Sequence, residues 1–205
     1  MTWHWEQIFG NARPVEVEIG SGTGTFLLPA ATAAPGVNFF GIERSPRWAT
    51  RLQAHLAARR LDTVRILVAD AGCVVTNLIP PQSVQAYHVY FPDPWWKRRH
   101  HRRRLFTPSF VAALARTLTP SGRVYVATDV DDTFALICRA IDASGRFVRD
   151  LTVDRARQGM TAFERKGLAR GATIHEAVFA MDAAADRRVL HASSAAPMTP
   201  AESPS

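Results

Sequence analysis

The chain predicts an α/β fold of the Rossmann-like kind, with a mainly parallel sheet and helices on both faces. Three observations carry that expectation: short apolar runs alternate with helix-like stretches, the first run enters a glycine-rich turn, and successive runs end in or beside an acid. The apolar runs are Val15 to Ile19, Asn38 to Glu43, Val64 to Ala69, Val84 to Phe91 and Arg123 to Thr128. Between them lie the amphipathic or Ala/Leu/Arg-rich stretches Arg47 to Arg60, Pro108 to Thr117 and Thr133 to Ala143. Strand, helix, strand repeated in this way implies parallel strands covered on both faces. Two later runs, Phe147 to Val153 and Thr173 to Met181, read as further strands, separated by the polar stretch Arg155 to Gly171.

Length and composition set the frame for these elements. With 205 residues, 47% hydrophobic and 21% charged, the chain predicts one globular domain over residues 1–181. From Asp182 onward, 14 of 24 residues are Ala, Ser or Pro and none is aromatic, so this tail is expected to be disordered. No apolar run reaches membrane-spanning length, and MTWHWEQIFG lacks the pattern of a secretory signal, so a cytoplasmic protein is expected. Cys73 and Cys138 match no metal or redox spacing and read as buried small apolar residues. Trp3, Trp5, Phe9, His55 and His175 read as packing or surface residues.

Charge is distributed unevenly. The net charge is +7, and the run KRRHHRRR from Lys97 to Arg104 holds six of those charges, leaving one net positive charge for the rest. A dense basic run points to a polyanionic partner. It has no apolar face to insert into a bilayer, so nucleic acid is favoured over a membrane surface. Each phosphate contact would add about 0.7 to 0.9 to the salt dependence of binding. His100 and His101 are adjacent, without an i,i+4 partner or a nearby acid, so no metal site is expected.

Chemistry concentrates at the strand ends. The first run ends in Glu18 and leads into a turn with Gly20, Gly22 and Gly24, which lets a ligand approach the backbone. The second ends in Glu43, nineteen residues past Gly24, where nucleotide-binding α/β folds place an acid on ribose hydroxyls. The third ends in Asp70, the fourth delivers Asp93, and the fifth finishes in Asp129. In a parallel sheet these five acids gather along one edge, the edge at which such sheets bind ligands. Any one of them could instead cap a helix, as Asp129 or Asp131 would for the stretch that follows.

The glycine spacing fits neither a dinucleotide fingerprint nor a phosphate loop, and a row of acids repels phosphate. S-adenosyl-L-methionine suits such an edge better: it carries ribose hydroxyls, an adenine amine, an ammonium and a sulfonium, and no phosphate. The segment Phe91-Pro92-Asp93-Pro94-Trp95-Trp96 places a proline-flanked acid beside aromatic rings just before the basic run. Rings of that kind stack on a base while the carboxylate accepts from its N–H groups.

The stretches EIGSGTG, FFGIE, ADA, FPDPWWKRRHHRRR, ATD and Thr161-Ala162-Phe163-Glu164 together resemble the bacterial tRNA (guanine-N7-)-methyltransferase family, over about Val15 to Met181. The resemblance implies a class I methyltransferase with a seven-stranded sheet whose last strand is antiparallel. It also implies S-adenosyl-L-methionine as cofactor, tRNA as partner and a variable-loop guanine as target. By the same resemblance Glu18, Gly20, Gly22, Gly24, Glu43, Asp70 and Asp93 hold the cofactor region. Lys97, Asp129, Thr161, Phe163 and Glu164 would meet the target nucleotide, and Arg99, His100, His101, Arg102, Arg103 and Arg104 the RNA. Tyr90, Trp96 and Met160 depart from the family's usual Asn, Pro or His, and Pro, and the glycine turn begins nearer the N-terminus than is usual.

Guanine N7 carries a lone pair and no proton, so methyl transfer to it needs alignment more than deprotonation. Asp93 is therefore expected to orient the base as a hydrogen-bond acceptor rather than to act as an obligatory general base. Two rival readings are a methyltransferase acting on N6 of adenine or on protein glutamine, and a non-catalytic RNA-binding module on the same fold. The order Pro-Asp-Pro-Trp followed by arginines favours the guanine reading over the first, and the complete row of acids favours catalysis over the second.

Overall fold

Five strands rich in Val, Ile, Phe and Tyr build the parallel part of the sheet. These are β1 (Val15–Ile19), β2 (Asn38–Glu43), β3 (Val64–Val68), β4 (Val84–Tyr90) and β5 (Leu118–Thr128). Every position of β2 is buried, as expected of a strand covered on both faces. The computed structural model describes residues 3–94, 104–153, 164 and 167–184. The tail expected to be disordered lies outside these from residue 185 onward. Two further strands, β6 (Phe147–Arg149) and β7 (His175–Met181), complete a seven-stranded sheet in the order β3-β2-β1-β4-β5-β7-β6. β7 runs antiparallel to both β5 and β6. The parallel sheet and the antiparallel closing strand agree with the expected class I methyltransferase fold.

Helices α1 (Trp5–Phe9), α4 (Ala71–Asn77), α5 (Pro108–Thr117) and α6 (Asp131–Asp142) contribute to the larger apolar core, with Val17, Phe40, Val89, Val124 and Val126 from the strands. Helices α2 (Leu27–Ala33) and α3 (Pro46–Arg59) cover the other face, where Leu27, Leu52 and Leu56 pack on Phe39, Ala86 and Tyr125. Adjacent Phe39 and Phe40 join opposite cores, as the two-residue period of a strand requires.

Four elements differ from the sequence expectation, the first being β6, which stops at Arg149, where its pairing with β7 ends, rather than at Val153. β5 begins at Leu118 rather than Arg123, because Leu118 pairs with Val84 and the ladder then shifts register before Ala86. Helix α1, read only as packing residues, forms because Trp5 and Phe9 lie one turn apart and Trp5 packs edge-on to Phe40 at 5.3 Å. Helix α4, with Gly72 and two valines, has little intrinsic helix propensity. Asp70 caps it, accepting from the Cys73 N–H at 3.0 Å, and Val74 and Val75 anchor it in the core.

The cysteines require a correction. Cys73 is exposed and Cys138 only partly buried, because Val74 and Val75 take the inward positions of α4 and Cys138 meets the Arg149 guanidinium at 3.1 Å. Nor does an acid side chain cap α6: its N-cap is Val130, and Asp131 instead meets His175. Asp131 and Asp132 still favour the helix by lying in its first turn, near the positive end of the dipole.

Candidate active site

The sheet order sets β1 between β2 and β4, so the chain reverses its winding direction beside β1 and leaves a crevice at the carboxyl ends of the strands. A cavity of about 770 Å³ occupies that crevice, within the roughly 300–1,000 Å³ usual for small-molecule sites. Glu18, Glu43, Asp70 and Asp93 all line it. Four of the five strand-end acids, read from segments 75 residues apart in sequence, thus meet in one cavity. The fifth, Asp129, is exposed at the end of β5 and does not line it.

These acids are held in different ways. Glu43 is tied on both oxygens: the Gly22 N–H donates to Oε2 at 2.8 Å and the Ser45 N–H to Oε1 at 2.7 Å. It therefore braces the glycine turn after β1 against the turn after β2. Asp70 uses one oxygen as the cap of α4. Glu18 is buried, and its Oε2 has no hydrogen-bond partner among the described residues. Burial first, and Glu43 second, raise its pKa well above the ordinary carboxylate value. A buried carboxyl with an unmade hydrogen bond suits a ligand that brings both a donor and positive charge.

The glycine turn supplies room. Gly20, Gly22 and Gly24 all take positive φ, at 79°, 52° and 81°. A Cβ on Gly20 would meet nothing within 4 Å, so the turn stands open to the cavity. Gly24 serves packing instead: a Cβ there would collide with the Leu52 side chain and crowd Leu28. Gly24→Ala is therefore expected to cost about 3 kcal/mol from left-handed strain and overpacking together. Gly20→Ala should cost about 1–2 kcal/mol from strain alone. Urea unfolding of the two variants checks the difference.

At the end of β4 the chain turns sharply, with Phe91 in the left-handed region at φ 51°. A bulky residue there is strained, by about 1–3 kcal/mol, and such strain clusters at functional sites. The turn brings Asp93 to the large cavity and to a smaller one of about 130 Å³, shared with Pro94, Arg104, Asp132 and Thr133. Arg104, the last residue of the basic run, thus lies beside Asp93. Glu164 is buried. Lys97, Arg99, His100, His101, Arg102, Arg103, Thr161 and Phe163 lie outside the described residues, as do Trp95, Trp96 and Met160.

One feature of the site went unread in the sequence. His88, fully buried on β4, bonds the Tyr90 hydroxyl through Nδ1 at 2.9 Å and Glu16 Oε2 through Nε2 at 2.8 Å. Its ring stacks on Tyr125 with centroids 5.0 Å apart. With a neutral imidazole, Nε2 donates to the Glu16 carboxylate and Nδ1 accepts from the hydroxyl. The chain of bonds locks Tyr90, which lines the large cavity. Removal of the hydroxyl in Tyr90→Phe leaves Nδ1 buried and unpaired, with an expected loss of about 1–3 kcal/mol in chemical denaturation. Glu16 and His88 are 72 residues apart, and only β1–β4 pairing makes them neighbours.

The chain is similar to known proteins over most of its length. Residues 12–177 match a family model described as "Putative methyltransferase". A tRNA (guanine-N(7)-)-methyltransferase of Nitrosomonas europaea is 35% identical over 177 residues, covering 85% of this chain and 79% of that protein. One of Bordetella pertussis is 37% identical over 175 residues, covering 83% and 68%. Among solved structures, TrmN from Thermus thermophilus superposes with a TM-score of 0.58 at 17% identity over 86% of this chain and 47% of that one. The aminoglycoside resistance methyltransferase NpmB1 gives 0.57 at 15% identity, over 88% of this chain and 95% of that one. At these identities the two structures speak for the fold alone.

Proposed function

The chain belongs to the tRNA (guanine-N(7)-)-methyltransferase family, and from that premise we propose that its acid-lined cavity serves methyl transfer from S-adenosyl-L-methionine to N7 of a guanine in tRNA, a variable-loop guanine in particular. The observation that carries the reading within this molecule is the buried, unpartnered Glu18 Oε2 at the floor of a phosphate-averse cavity that also reaches Asp93. S-adenosyl-L-methionine supplies an electrophilic methyl on a sulfonium. The chain's own residues then bind, orient and exclude water.

Glu18 and Asp70 complement the donor's positive and hydrogen-bond-donating groups, and Glu43 keeps the glycine turn open to receive it. Asp93 faces both cavities, so it stands where donor and acceptor meet. There it accepts hydrogen bonds from guanine N–H groups, which turns the N7 lone pair toward the methyl. Since N7 bears no proton, no side chain has to remove one before transfer. Alignment of this kind accounts for a large part of the rate of two-substrate reactions. Arg104 and the basic run before it meet phosphates of the RNA, and stacking on Trp95 or Trp96 helps hold the target base out of its tertiary pairing.

Incubation with labelled methyl donor and unmodified tRNA, followed by borohydride and aniline cleavage, tests the reading. Label in tRNA with chain scission at one variable-loop guanine is expected. Label at an adenine, or in protein glutamine, would replace it.

A further inference from the structure

The net charge of the chain outside the basic run is nearly zero, but that balance hides a second cluster. From Arg44 to Arg60 there are five arginines and no acid. Helix α3 turns Ala49, Leu52 and Leu56 into the core and leaves Arg47, Trp48, Arg51, His55 and Arg59 exposed. Arg47, Arg51, His55 and Arg59 follow one another at four-residue spacing, so they form a single stripe about 18 Å long.

Among the described residues nothing accounts for the N-terminal part of this stripe. Arg47 and Arg51 are like charges one turn apart, which weakens a helix. Arg47 also lies in the first turn, beside the positive end of the dipole, in a helix with no acid there. Among the described residues no carboxylate pairs with either guanidinium. Both instead flank the exposed ring of Trp48, at 5.4 and 5.6 Å from its centroid. Trp48 is 38% exposed and lines the mouth of the large cavity. Two cations close to an exposed aromatic ring, one of them set against the helix dipole in the first turn, match a polyanion whose units carry both phosphates and stacking faces.

We propose that the Arg47–Trp48–Arg51 face of α3 is a second contact surface for the substrate tRNA, gripping phosphates on the side of the cavity opposite Asp93 and Arg104. This rests on the proposed function. The cavity spans from the start of α3, after β2, to the end of β4, with β1 between. RNA bound at both rims therefore straddles the donor site and is held from two directions. A membrane is the poorer partner, because Leu52 and Leu56 are spent in the core and a single ring, Trp48, is all the exposed stripe offers to insert.

The test is binding of unmodified tRNA across a salt series by the wild type, by Arg47→Gln/Arg51→Gln and by Arg47→Lys/Arg51→Lys. The glutamine variant is expected to bind about ten-fold more weakly, and its log–log salt slope to be shallower by about 1.4 to 1.8, two contacts' worth. The lysine variant should keep the wild-type slope. The kcat of the glutamine variant at saturating tRNA and its affinity for the methyl donor should stay within two-fold of wild type. Its melting temperature should not fall, since the substitutions relieve repulsion. Unchanged tRNA affinity and slope would overturn the proposal. So would unchanged tRNA binding accompanied by lost sedimentation with phosphatidylserine vesicles. A wild type that fails to methylate tRNA is a failure of the function itself, visible before any variant is made.

Discussion

Glutamine in place of Glu18 is expected to weaken binding of S-adenosyl-L-methionine by ten- to a hundred-fold while making the protein without its cofactor more stable at neutral pH. The first effect follows from the size of a charge-assisted hydrogen bond, about 1.5–3 kcal/mol. The second follows from linkage. Burial, and behind it Glu43, holds the Glu18 pKa well above the ordinary value. Between those two pKa values the native protein keeps a proton that the unfolded chain has released, so stability falls as pH rises through that window. Glutamine cannot ionise and removes the slope, so the two proteins should unfold alike near pH 4 and diverge above it, with the variant ahead. Donor binding runs the other way. A cation in the cavity favours the ionised carboxylate, so wild-type affinity should rise with pH through the same window, with proton release on binding, and the variant should lose that dependence. Calorimetric titration at several pH values, with parallel thermal melts, reads all of these.

Asp93→Ala is expected to lower kcat/KM for tRNA about a hundred-fold, the scale of losing one alignment contact in a two-substrate reaction. Asp93→Asn should fall between, near ten-fold, because the amide keeps one acceptor and presents a donor to the base. Neither variant should remove a limb from the pH profile near neutrality, since Asp93 orients the base and takes no proton from N7. Steady-state rates across pH separate the two roles. Full activity of Asp93→Asn at saturating tRNA and donor would rule out the orienting role, and loss of the acid limb, the rise of rate with pH, would make Asp93 a general base.

Much of the fold was legible because the parallel strands are short, apolar and each stopped by an acid or a turn. β1 and β2 emerged with the bounds expected, as did α5, whose Thr107 cap and Pro108 start are written in the sequence. The early start of β5 was hidden by Pro120 and Gly122, which read as a loop until Leu118 finds Val84. Helix α4 was hidden because its stability comes from a cap and two buried valines rather than from propensity.

At the site, the gathering of Glu18, Glu43, Asp70 and Asp93 was legible because parallel strands carry their ends to one edge. That Asp129 stands outside the cavity was not, since it depends on where the chain goes after β5. The Glu16–His88–Tyr90 chain needed cross-strand register. The arginine face of α3 was masked by counting net charge over the whole chain instead of along one helix face.

The central claim is that the acid-lined crevice beside β1 receives the methyl donor and points it at Asp93. A crystal structure with S-adenosyl-L-methionine bound tests it most directly. The account predicts the donor against the Gly20–Gly24 turn, a hydrogen bond at last on Glu18 Oε2, and the methyl directed toward Asp93. A donor bound elsewhere, or one that leaves Glu18 Oε2 without a partner, would contradict it.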